Sequence, residues 1–105
     1  MGMQERRVLS PDAPVPDGVV DAGTAPATSR IERLTAGDAV VLVTLETDAP
    51  EPDPALLAAA SVYAWLGVKL FRVPESQADA VREVLDMVAS IEGTRPPAVS
   101  RRGLA

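Results

Sequence analysis

The sequence predicts an α/β fold, a small open parallel sheet of two to three strands with about three helices. Three observations carry this expectation. Residues 39–45 (AVVLVTL) form an apolar run with no polar face, as in a parallel strand covered on both sides. Residues 53–92 read in order as an apolar helix, a short strand and an amphipathic helix. The alternation of weak strand, helix, strand, helix, strand, helix then takes right-handed crossovers and parallel pairing.

In chain order, residues 1–17 carry charge, three prolines and no periodicity, and read as a flexible N-terminal arm ahead of an α/β domain over 18–94. Val19, Val20 and Asp21, between Gly18 and Gly23, suggest a very short edge strand. Ser29 and Glu32 stand at capping-box spacing, which predicts a helix over 30–36 closed by Gly37. After the strand at 39–45, the segment ETDAPEPDP is a stiff acidic loop. Asp53 can cap the next helix, Pro54 suits its first position, and Gly67 offers a left-handed stop after Leu66.

Residues 68–73 (VKLFRV) are rich in strand formers, and Pro74 ends the strand. Ser76 and Asp79 repeat the capping-box spacing before a helix whose Val81, Val84, Leu85, Val88 and Ile91 share one face. Gly93 is expected to end that helix and Pro96-Pro97 to prevent its return. A basic flexible tail over 95–105 follows, with Arg95, Arg101 and Arg102.

The strand LGVKLFRV, the helix containing LDMVASI, and the tail motifs RPPA and RRGLA together resemble the last barrel units of bacterial dihydropteroate synthases, the actinobacterial ones above all. The resemblance covers about the last half of the chain. It implies the last βα units of a TIM barrel, in a family that condenses a pterin pyrophosphate with p-aminobenzoate. That family's last strand usually ends R-x-H, an anion-binding pair for the pyrophosphate. The matching residues here are Arg72, Val73 and Pro74, so the arginine is present and the histidine is not. The family's serine-arginine-lysine motif also has no match in residues 40–47. The resemblance therefore implies ancestry without the activity.

A closed (β/α)8 barrel needs roughly 200 residues or more, so 105 residues are not expected to form one. Apolar residues make up 47% but aromatics only 3%, which leaves the core to Val, Leu and Ala around Tyr63, Trp65 and Phe71. The formal net charge of -5 with scattered basic residues argues against nucleic acid. With no cysteine and no histidine, disulfides, thiolate nucleophiles, the usual zinc ligands and the commonest general base are all excluded. The polar N-terminus lacks an apolar core for a signal sequence, and the apolar run 55–68 is too short to span a bilayer. A cytoplasmic protein with no membrane contact and no cofactor is the expectation.

No catalytic constellation and no metal site is recognisable. Glu46, Asp48, Glu51 and Asp53 lack the spacing and turn glycine of a calcium loop and read as a solvated linker. Arg72, at the C-terminal end of a strand, either binds an anion such as a phosphate or pairs with an acid, Glu75 or one in the 46–53 loop. Lys69 is a further candidate ligand residue or a surface lysine. The helix over 55–66 has only Ser61 and the Tyr63 hydroxyl to offer water, so Leu57, Ala58, Val62 and Trp65 are the candidate interface. The expected role is non-catalytic, as an interaction or accessory subunit linked to folate biosynthesis, with a homo-oligomer or a protein partner. The alternative is a small pterin- or phosphate-binding protein using Arg72.

Overall fold

The computed structural model describes residues 6–94. The elements run β1 (Arg7–Leu9), β2 (Val19–Thr24), α1 (Thr28–Thr35), β3 (Val40–Thr44), α2 (Pro54–Leu66), β4 (Leu70–Arg72) and α3 (Glu75–Thr94). The strands form one open parallel sheet in the order β1-β4-β3-β2. The expected α/β class holds, with three helices and one strand more than the sequence suggested.

The extra strand is β1, inside the segment read as a flexible arm. It is held by β4: the Arg7 amide donates to the Lys69 carbonyl at 2.8 Å and the Val73 amide to Leu9 at 3.2 Å. Three residues followed by prolines carry no periodicity, so pairing rather than sequence pattern makes this strand. The remaining ends of the expected arm and tail, residues 1–5 and 95–105, lie outside the described residues.

Two expected capping boxes are not formed. The first helix begins at Thr28 with Ala27 as its cap and no side-chain cap, so Ser29 and Glu32 both lie within it. The last helix begins at Glu75, which places Ser76 inside the first turn, where its hydroxyl donates instead to the Ala49 carbonyl at 3.0 Å. Gly93 does not end this helix, which continues through Thr94. By contrast α2 has both expected caps. Asp53 accepts from the Ala55 amide, Pro54 opens the helix, and Gly67 closes it at φ 112°.

All three helices lie on one face of the sheet. Val41, Val43 and Phe71 point into a single apolar cluster with Ile31 of α1, Leu56 and Ala60 of α2, and Val81 and Leu85 of α3. Leu42 and Leu70 alternate to the other face, lie outside that cluster and are still buried, at 0% and 4% exposure. By the handedness rule the chain between β1 and β2 passes on this side. It must cross the whole sheet in the direction opposite to the helical crossovers, and only a path over the opposite face keeps it right-handed. Consistent with this path, Pro16, Asp17 and Gly18 border one depression with Arg7, Val40 and Leu70. The sheet is therefore helix-covered on one side and strapped by residues 10–18 on the other.

Candidate functional site

An apolar groove runs between α2 and α3. The buried side of α2 is Leu56, Ala60, Tyr63 and Ala64, which leaves Leu57, Ala58, Ser61, Val62 and Trp65 on the groove side. From α3, Val81 and Leu85 face the core while Val84, Met87 and Ile91 complete the opposite wall. The groove is shallow and open to solvent, with a volume of about 550 Å³. Val62, Trp65, Met87 and Ile91 are 48%, 48%, 62% and 49% exposed. All four residues picked from the sequence as an interface line it. On α3, the sequence placed Val84 and Ile91 on the core face and did not single out Met87.

Tyr63, read from sequence as a polar interruption of α2, is buried and donates its hydroxyl to the Pro26 carbonyl at 2.6 Å. Burial holds its phenol above the usual tyrosine range. It ties α2 to the turn before α1.

Arg72 lies on the strapped face, at the C-terminal end of β4. In register it stands between Leu9 and Thr44, and it reaches past β3 to β2. Its Nη1 is 3.6 Å from Asp21 Oδ2 and 3.4 Å from Thr44 Oγ1. The acid facing it is thus Asp21, rather than Glu75 or the 46–53 loop. Asp21 has a second task, because its Oδ1 accepts from the Gly23 amide at 2.9 Å where β2 shifts register. The Arg72 Nε is buried with no hydrogen-bond partner among the described residues. Lys69 precedes β4 at the other end, about 10 Å away along an extended chain, so the two candidate ligand residues are not brought together.

Both contacts of Arg72 are long, and its Nε is desolvated without compensation, so its removal costs little. We expect Arg72→Met to change stability by less than about 1 kcal/mol in urea unfolding. A loss well above that would make the Asp21 pair a structural anchor.

The acidic loop is organised by Gln77, which sequence reading passed over. Its side chain is fully buried in the first turn of α3. The Oε1 accepts from the Asp53 amide at 2.8 Å, and Nε2 donates to the carbonyls of Glu51 at 2.8 Å and Ala49 at 3.3 Å. Asp53 in turn accepts from the Thr47 hydroxyl at 2.7 Å, and this bond, with that from the Ala55 amide, holds its carboxyl below the usual aspartate range. Its oxygens are spent on caps and turns. Among the described residues no group of three or more acids is placed to hold a metal ion. Nor is any helix long and apolar enough to cross a membrane.

Comparison with known proteins adds one family. The chain is 57% identical over 49 residues to inactive dihydropteroate synthase 2 of Mycobacterium leprae, covering 47% of this chain and 16% of that protein. It is 48% identical over 66 residues to the proteins of the same name in Mycobacterium bovis and Mycobacterium tuberculosis, covering 63% of this chain and 20% of each. The chain is dihydropteroate synthase-like. It spans a fifth or less of the length of these curated relatives. No family model and no solved structure matches it. The expected resemblance to this family therefore stands, and the relatives are ones named inactive.

Proposed function

We propose that this dihydropteroate synthase-like chain is non-catalytic and serves as an interaction or accessory subunit, with the α2–α3 groove as its working surface. The observation that carries the reading is the groove itself. It has two apolar walls, α2 contributes no charged residue, and four large side chains stand about half exposed. The site region of the family supports the same reading, because Pro74 follows where the R-x-H pair would place a histidine and Arg72 faces Asp21. The relatives' names agree with a chain that has lost activity. Folate biosynthesis is the setting this ancestry implies, with the partner a folate enzyme or a second copy.

The test is a sensitive coupled assay for condensation of a pterin pyrophosphate with p-aminobenzoate. No turnover above the buffer control is expected, and Pro74→His alone should not restore any. Turnover by the wild-type chain would sink the reading. One observation favours a second reading, a pterin or phosphate binder: the buried Arg72 Nε has no acceptor among the described residues. Calorimetric titration with pyrophosphate separates the two, since that reading requires heat that disappears in Arg72→Met.

A further inference from the structure

We propose that β1 is a latch on the α2–α3 groove: Arg6, immediately before the strand, ties the C-terminal ends of the two helices together, and its release loosens the groove at Trp65 and Ile91. The inference rests on the reading of that groove as the working surface and supplies its regulation.

Both helix ends call for a cation that neither contains. An α-helix gathers partial negative charge at its C-terminus, where carbonyls lack partners, and a basic residue in the last turn offsets it. Neither α2 nor α3 has one. The last turn of α3 instead carries Glu92, an acid at the negative pole of its own helix. Arg6 answers both needs from outside the helix pair. Its Nη2 donates to the Ala64 carbonyl of α2 at 3.1 Å and to Glu92 Oε1 at 2.8 Å. Ala64 and Glu92 adjoin Trp65 and Ile91 in sequence, one from each wall of the groove. One guanidinium thus fixes the two walls against each other at this end.

What holds Arg6 in place is slight. β1 is three residues long and pairs with β4 alone, through bonds that include those of the Arg7 amide to Lys69 and the Val73 amide to Leu9. The guanidinium gains charge-assisted bonds. Yet its side chain is only 9% exposed and its Nε has no acceptor among the described residues, so desolvation offsets much of that gain. Docked and released states therefore lie close in free energy, as a switch requires. Coupling between them and the groove is reciprocal: an occupant that needs the two walls in register holds β1 down, and whatever draws Arg6 away loosens the groove.

The experiment is residue-resolved amide hydrogen exchange on the full chain, together with acrylamide quenching of Trp65, the single tryptophan. Acrylamide is neutral, so removing a charge does not itself alter the collisions. In the wild type the Arg7 and Val73 amides, at the β1–β4 seam, should exchange about tenfold or more faster than the Leu45 amide, which donates to Arg72. Arg6→Met keeps the apolar stem without the charge. It should speed the two seam amides about tenfold further, leave Leu45 within about twofold, and raise the quenching of Trp65. Glu92→Gln, which spares the Ala64 bond, should act in the same direction to a lesser degree. If Arg6→Met loses its fold, Glu92→Gln decides. Arg82→Met, which breaks an exposed pair on α3, should change neither readout.

Seam amides that exchange at the rate of Leu45 in the wild type overturn the proposal, because β1 then leaves only when the whole domain unfolds. Trp65 quenching that neither Arg6→Met nor Glu92→Gln changes overturns it too, because strand and groove are then uncoupled. Neither readout involves a partner, so these failures leave the interaction reading standing. A groove that binds nothing removes that reading without moving either readout.

Discussion

Replacing Gln77 by leucine is expected to lower stability by about 3 kcal/mol, a fall in melting temperature of roughly 12 to 24 °C for a domain this size. The two side chains are close in volume, so packing is nearly conserved and the loss is one of hydrogen bonds. Gln77 is the meeting point of the Asp53 amide and the Glu51 and Ala49 carbonyls. Without it the Asp53 amide and the Glu51 carbonyl lose these partners in a part-buried setting, each at a cost of about 1 to 3 kcal/mol, while the Ala49 carbonyl keeps the Ser76 hydroxyl. Differential scanning calorimetry reads the effect. A fall below about 5 °C would mean that water reaches these groups and that the loop is not held from α3.

A second large loss is expected at Phe71, the single phenylalanine in the chain and fully buried. It sits in register between Val8 of β1 and Val43 of β3, at the centre of the helix-covered face. Phe71→Ala should cost about 3 to 5 kcal/mol, because the strands on either side cannot close the cavity without breaking their ladder. Natural domains keep only about 5 to 15 kcal/mol in reserve, so this variant should be largely unfolded at modest urea. Phe71→Leu should lose much less. Equal losses in the two variants would argue that a shape change, rather than the cavity, is responsible.

The two residues contrast in how far the sequence foretold them. Phe71 sits in a run of strand-forming side chains, so its burial follows from local pattern. Gln77 is one polar residue in a turn rich in polar residues, and its importance comes from backbone groups more than twenty positions away. The same division holds for the elements. Caps made by one residue acting on its own helix, Asp53 and Gly67, were legible. The spacings around Ser29 and Ser76 were misleading, because tertiary contacts moved both helix starts upstream. Strand β1 was invisible because a three-residue strand exists only through its neighbour. Of the candidate site, the α2 wall could be read from an uninterrupted apolar helix, whereas Asp21, the acid opposite Arg72, lies fifty-one positions away on a strand whose bulge could not be foreseen.

The strap over the second face of the sheet has a consequence for assembly. In a complete barrel the helix-free side of each strand lines the lumen, and interior side chains from the remaining strands fill it. Here Pro16, Asp17 and Gly18 border Leu70 on that side. Strands supplied by another molecule could close a ring only by first evicting the strap and rehydrating that leucine. On the outer wall of helices, by contrast, Val62 and Met87 are already exposed, and covering them asks for no such exchange.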